Sequence, residues 1–225
     1  MKQFNKLLLR IKQYELLQLF TIYLRYLIGS AFVFAAFGMG KIIPFFDKSV
    51  IGQGDPNSPI THAFSSFIHS ELYWSFIGWS QLIAGILLVT QRFARFGIMI
   101  YLPIIANIFM LTYSYHFQGT DIVTGLMLLA ALYLALWEGD KLQYLFIEPT
   151  TDNLTLAKPT IERLPIWGYA GVGMVVLLAT TFHYIPLFYN FLTCLLFGIV
   201  ALLIYISRFR KHFFGKPAYK KKAFR

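Results

Sequence analysis

The stretch FGIMIYLPIIANIFMLTY, Phe96–Tyr113, runs for eighteen residues without a formal charge. As a helix rising 1.5 Å per residue it reaches roughly 27 Å, close to the ~30 Å hydrocarbon thickness of a bilayer. Five further apolar stretches surround it: Phe20–Gly40, Tyr73–Val89, Ile122–Trp137, Ile166–Phe182 and Leu187–Ile206, the last two joined by the short turn His183–Pro186. The expected fold is therefore all-α, a polytopic membrane helix bundle with six spans.

Composition agrees with that reading and excludes soluble classes. The apolar share is 57%, the aromatic share 18% and the charged share 13%, about half the quarter usual in soluble domains. A helix bundle in lipid accommodates such a chain, because helices satisfy their backbone groups internally while their side chains face hydrocarbon. The net charge of +10 lies in blocks outside the apolar stretches, which suits anionic headgroups. No aromatic–basic binding motif accompanies it, so nucleic acid is not an expected partner. The single cysteine, Cys194, sits in an apolar stretch and excludes an internal disulfide, a CxxC pair and a cysteine metal site.

Placing the six stretches alternately puts eighteen Lys and Arg residues on one side and only Lys41 and Lys48 on the other. The positive-inside rule makes the basic side cytoplasmic, with both termini there, in a multi-pass protein of the cell membrane. Residues 1–19 hold Phe4, Leu7, Leu8, Ile11 and Tyr14 at helical spacing among Lys and Gln, which predicts a helix lying on the inner membrane surface rather than a cleavable signal. Residues 20–140 form a four-helix unit with an outer loop, 42–72. Within that loop Ser58-Pro59 reads as a helix start, predicting an amphipathic helix over Pro59–His69. Residues 141–165 make a cytoplasmic connector, with a small hairpin expected around Pro149–Asn153. Residues 166–206 make a two-helix hairpin, and 207–225 a basic cytoplasmic tail.

Polar groups inside the apolar stretches are the candidates for a site, because such residues are costly in lipid. Helical rise places Gln81 roughly 12 Å and Asn107 roughly 16 Å into their spans, from opposite ends. They are expected at similar depth, in one polar pocket with Ser80 and Ser30, or else as interhelical hydrogen-bonding groups. Arg25 stands just inside the first span and Lys41 at its outer end, where snorkelling to headgroups is the alternative to ligand contact. Asp121 opens the fourth span, where a carboxylate suits the helix dipole; pairing with Lys41 across the outer mouth is the sharper reading. His62, His69, His116 and His183 fall on the outer side as weak metal or haem candidates, without an HxxxH pair.

Tyr23-Leu24-Arg25-Tyr26-Leu27-Ile28-Gly29 with Phe37-Gly38-Met39-Gly40-Lys41, and Gly78-Trp79-Ser80-Gln81-Leu82-Ile83-Ala84-Gly85 with Gln91-Arg92-Phe93-Ala94-Arg95, resemble the first two helices of the DoxX-like membrane family. The resemblance covers about Phe20–Trp137 and leaves the last two spans outside. Gln81 stands where many relatives carry a glutamate, which removes a proton-carrying carboxylate from that position. The family implies a four-helix fold and an association with membrane redox chemistry, including quinone-coupled sulfur oxidation. The expectation is a redox-associated membrane subunit with no intrinsic cofactor, binding quinone or docking an oxidoreductase. Arg25, Lys41, Gln81, Asn107 and Asp121 would line its pocket. The alternative is a non-catalytic lipid-binding or scaffolding protein. Small-solute transport is a third reading, for which no inverted repeat is found.

Overall fold

The computed structural model describes residues 11–37, 41–42, 67, 69–116, 119–142, 164–181 and 187–209. Most of these residues are helical, with no strand among them: α1 (Glu15–Phe37), α2 (Glu71–Val89), α3 (Ala94–Ser114), α4 (Thr120–Trp137), a single turn at Gly139–Leu142, α5 (Pro165–Thr181) and α6 (Leu187–Ile204), which ends in a wider π turn, Tyr205–Phe209. Helices α1 to α4 are long and apolar enough to cross a membrane. Helices α5 and α6 form a shorter apolar pair. Almost all of the loop helix predicted for Pro59–His69, the predicted hairpin, the tail beyond Phe209 and the segment before Ile11 lie outside the described residues.

The first helix differs from expectation at its start. It begins at Glu15 instead of Phe20, so the last five residues of the predicted surface helix belong to it, and its described part runs to Phe37. Glu15 suits the positive end of the helix dipole. Gln18, the polar residue that follows, is buried with its Nε2 donating to the Lys12 carbonyl, so it does not break the apolar run.

Helix α1 is the hub. Its buried residues Gly29, Phe32, Val33 and Ala36 meet α2 in an antiparallel crossing where both backbones come close. A Cβ added to Gly85 would lie 2.6 Å from the Gly29 carbonyl oxygen, and one added to Gly29 would lie 2.6 Å from a Val89 methyl. Helix α2 then packs on α3, where a Cβ at Gly97 would lie 2.9 Å from the Leu88 backbone nitrogen. Helix α3 packs on α4 through Phe109 against Gly125 and through the Thr112–Thr124 hydroxyl pair at 2.8 Å. Ile28, Phe32, Ala84, Leu88, Ile98, Tyr101, Ile105, Ala131 and Leu134 make the core of this four-helix unit, with Phe32 stacked on Tyr101.

A second core lies on the other side of α1, from Ile22, Tyr26, Val89, Trp167, Met174, Ala201 and Tyr205. Here Tyr26 Oη donates to the Trp167 carbonyl, Tyr23 Oη donates to the Gly198 carbonyl at 2.8 Å, and Tyr205 Oη donates to Glu15 at 3.2 Å. Gly171 lies so close to the Val89 carbonyl that a side chain there would collide with it. These pairings set α5 antiparallel to α2 and α6 antiparallel to α1. Outside both cores, Leu27, Phe76, Ile83, Leu126, Leu129 and Leu203 are exposed, an apolar exterior that hydrocarbon solvates and water does not. Chain and fold together define a polytopic helical membrane protein.

Alanine at Gly85 or Gly171 is expected to cost about 1–3 kcal/mol, the range for overpacking a filled contact. The measurement is the melting midpoint in detergent micelles. At Gly125 an added Cβ meets only the edge of the Phe109 ring, at 3.2 Å. There the helix preference of alanine over glycine, about 1 kcal/mol, offsets the contact and Gly125→Ala should melt near the parent. Equal losses at Gly85 and Gly125 would remove the close crossing from this account.

Candidate functional site

Two polar clusters bracket the α1–α2 crossing. The first lies where α2 and α4 finish. Arg25 is only 1% exposed on α1. Its Nη2 donates to Glu138 Oε1 at 2.8 Å, and its Nη1 donates to Gln91 Oε1 at 3.1 Å. Glu138 is the residue that closes α4, and it is buried. Gln91, one residue past the α2 cap, adopts a left-handed backbone at φ 60°. That conformation, uncommon for a side chain larger than glycine, turns the amide inward, where Nε2 also donates to the Ile22 carbonyl at 3.3 Å. Arg95 stands at the edge of the cluster, half exposed, its Nε 3.9 Å from Glu138 Oε2. One carboxylate thus lies between two guanidiniums, the buried Arg25 holding it closely.

The second cluster lies at the opposite end, where α1 finishes. Lys41 follows α1 by four residues and folds back across Gly78, where a Cβ would lie 2.6 Å from Lys41 Cβ. Its Nζ donates to the Ala35 carbonyl at 3.0 Å and to Gln81 Oε1 at 2.8 Å. It also sits 5.2 Å from the centre of the Trp74 ring, a cation–π contact. Ala35 contributes one of the last four carbonyls of α1, which have no partner inside the helix, so Lys41 caps that helix with a charge of the favourable sign. Burial lowers the Lys41 ammonium to about 8.

The candidate residues separate accordingly. Arg25 does not snorkel; it is ion-paired inside the bundle. Lys41 and Gln81 meet, and Gln81 is buried. Asn107 does not join Gln81. It is exposed on the outer face of α3, because the buried stripe of that helix runs through Gly97, Ile98, Tyr101, Ile105 and Thr112 and leaves position 107 on the opposite side. Ser30 Oγ donates to the Leu27 carbonyl of its own helix. Asp121 is partly exposed in the first turn of α4, its Oδ1 accepting from the Ile122 N–H at 2.9 Å. Among the described residues no ion pair joins it to Lys41. His69 and His116 are exposed, and among the described residues no three His, Cys, Asp or Glu side chains gather as a metal site. His62 and His183 lie outside those residues.

Gln91 and Glu138 escaped the sequence reading, although a signal for Glu138 was present. It directly follows the fourth apolar stretch, which runs antiparallel to the first and so ends on the Arg25 side, and its charge is complementary.

No family model matches the chain, and no solved structure matches it. Among curated proteins it is similar to the Uncharacterized protein YwoB of Bacillus subtilis (strain 168), 32% identical over 113 residues, which span 46% of this chain and 69% of that protein. The chain belongs to the family of that protein.

Removing Arg25 leaves the Glu138 carboxylate buried without its closest partner. Arg25→Met is therefore expected to cost about 3–5 kcal/mol, and the double variant Arg25→Met/Glu138→Leu distinctly less, since breaking a buried pair is worse than replacing it whole. Denaturant titration in micelles of both variants and of Glu138→Leu alone closes the cycle. Near-parental stability of Arg25→Met would restore the snorkelling reading.

Proposed function

We propose that this chain is a DoxX-like protein of the cell membrane that crosses it six times with both termini in the cytoplasm, and that it binds lipid or organises a membrane complex without chemistry of its own. The observation that carries this reading is the engagement of its strongest polar groups with one another. Arg25 is held by Glu138 and Gln91, and Lys41 by Gln81 and the end of α1. Such groups act as staples between helices and are already committed before any ligand arrives. The alternating helix directions and the eighteen-to-two distribution of basic residues support the topology.

A second reading is favoured by one feature, the Lys41 ammonium beside the Trp74 ring and the Gln81 amide. An ammonium has three donors, and this one uses two on the chain's own oxygens, so a quinone or carboxylate oxygen would suit the third. In that case the protein serves as a redox-associated subunit and electrons come from an oxidoreductase partner.

Solvent extraction of the purified protein, with an absorbance spectrum taken first, separates the two. Phospholipid alone is expected. Quinone retained by the parent and lost on Lys41→Gln, with melting unchanged, would replace the first reading by the second.

Reporter fusions placed after Arg225 and within Gly52–Asn57 are expected to report opposite sides of the membrane. Signals from the same side would sink the six-span topology.

A further inference from the structure

Asn107 is a polar amide in the wrong place for a solitary bundle. It belongs to the outward stripe of α3 made by Phe96, Ile100, Pro103, Asn107 and Met110, at spacings of four, three, four and three residues, all exposed. It lies thirteen residues past the start of a 21-residue helix, roughly 20 Å along roughly 32 Å, well within the hydrocarbon. Among the described residues nothing hydrogen-bonds its side chain. The amide therefore faces lipid tails, which offer it no hydrogen-bond partner.

The exposed face of α4 contrasts with this one. Ile122, Leu126, Leu129 and Leu136 line the outside of α4 at similar spacing and are fully apolar, as lipid requires. Asn190, another asparagine in an apolar helix, is buried.

We propose that the Phe96–Met110 stripe of α3 is the interface with a second copy of this chain, centred on Asn107. The occupant follows from the chemistry of the amide, which carries donors and an acceptor and so is complementary to itself. A two-fold axis along the membrane normal sets α3 parallel to its counterpart and brings the two Asn107 side chains together, each donating to the other. Two-fold pairing is the commonest arrangement of identical subunits. The inference rests on α3 crossing the membrane and is independent of which proposed function holds.

The test uses the full chain carrying Cys194→Ala in lipid vesicles, with single cysteines at Met110 or, as a control, Leu129. Cross-linking between copies is expected at position 110 and absent at 129. Energy transfer between labelled copies, followed as lipid dilutes the protein, gives the dimer affinity. Asn107→Leu is expected to weaken it by about tenfold, the effect of losing two hydrogen bonds of average strength between membrane helices. Asn107→Gln should retain most of it. Circular dichroism and melting matching the parent show that the leucine variant folds; if it does not, the position 110 cross-link and the glutamine variant still decide. Monomers at every dilution, an unchanged affinity in Asn107→Leu, equal cross-linking at 129, or cross-links in native membranes only to a different protein would overturn the proposal.

Discussion

The backbone contact of α1 with α2 at Gly29 and Gly85 is the constraint from which the rest of the arrangement follows. Lipid tails are as apolar as leucine, so membrane helices associate through close packing and hydrogen bonds rather than by fleeing water. Two facing glycines allow that closeness. The crossing brings Arg25 level with Gln91 at one end and Lys41 level with Gln81 at the other. A wider crossing would separate both pairs, taking the Gln91 amide from Arg25 and the Gln81 amide from Lys41, and a buried polar group that loses a partner is costly. Helices α3 and α4 complete one core on this pair, and α5 and α6 complete another.

The polar clusters have complementary tasks. Glu138 ties the end of α4 to the middle of α1, and Gln91 ties the α2–α3 turn to the same point through an unusual backbone conformation held by its own side-chain bonds. Lys41 closes α1 and, with Ile42, lies against α2 at Gly78. Both clusters hold their charged groups on the chain's own acceptors. Asn107 stands apart from them, outward-facing and without a side-chain hydrogen bond among the described residues, which is why association is proposed there.

Much of the fold was legible in the residues. All six apolar stretches reappear as helices, most boundaries shifting by a few residues, because a long uncharged stretch has few alternatives to helix in a bilayer. The first helix shifted most, since Gln18 and Glu15 look like interruptions in one dimension yet are accommodated by a buried hydrogen bond and a helix start. Site residues were less legible. Arg25, Lys41 and Gln81 were recognised as polar groups needing explanation, but their partners were not, because helical depth gives a residue's height and leaves its azimuth open. Gln81 and Asn107 illustrate this, being placed at similar height and found on different faces.

The sequence by itself determined that this protein is a bundle of apolar helices suited to a membrane, since hydrophobic length and charge placement are properties of the chain alone. Tertiary structure decided which polar residues meet. Whether a charge at a given depth snorkels, pairs or faces a partner depends on the rotation of each helix against its neighbours, and that rotation is set by where glycines on two distant segments let the backbones touch.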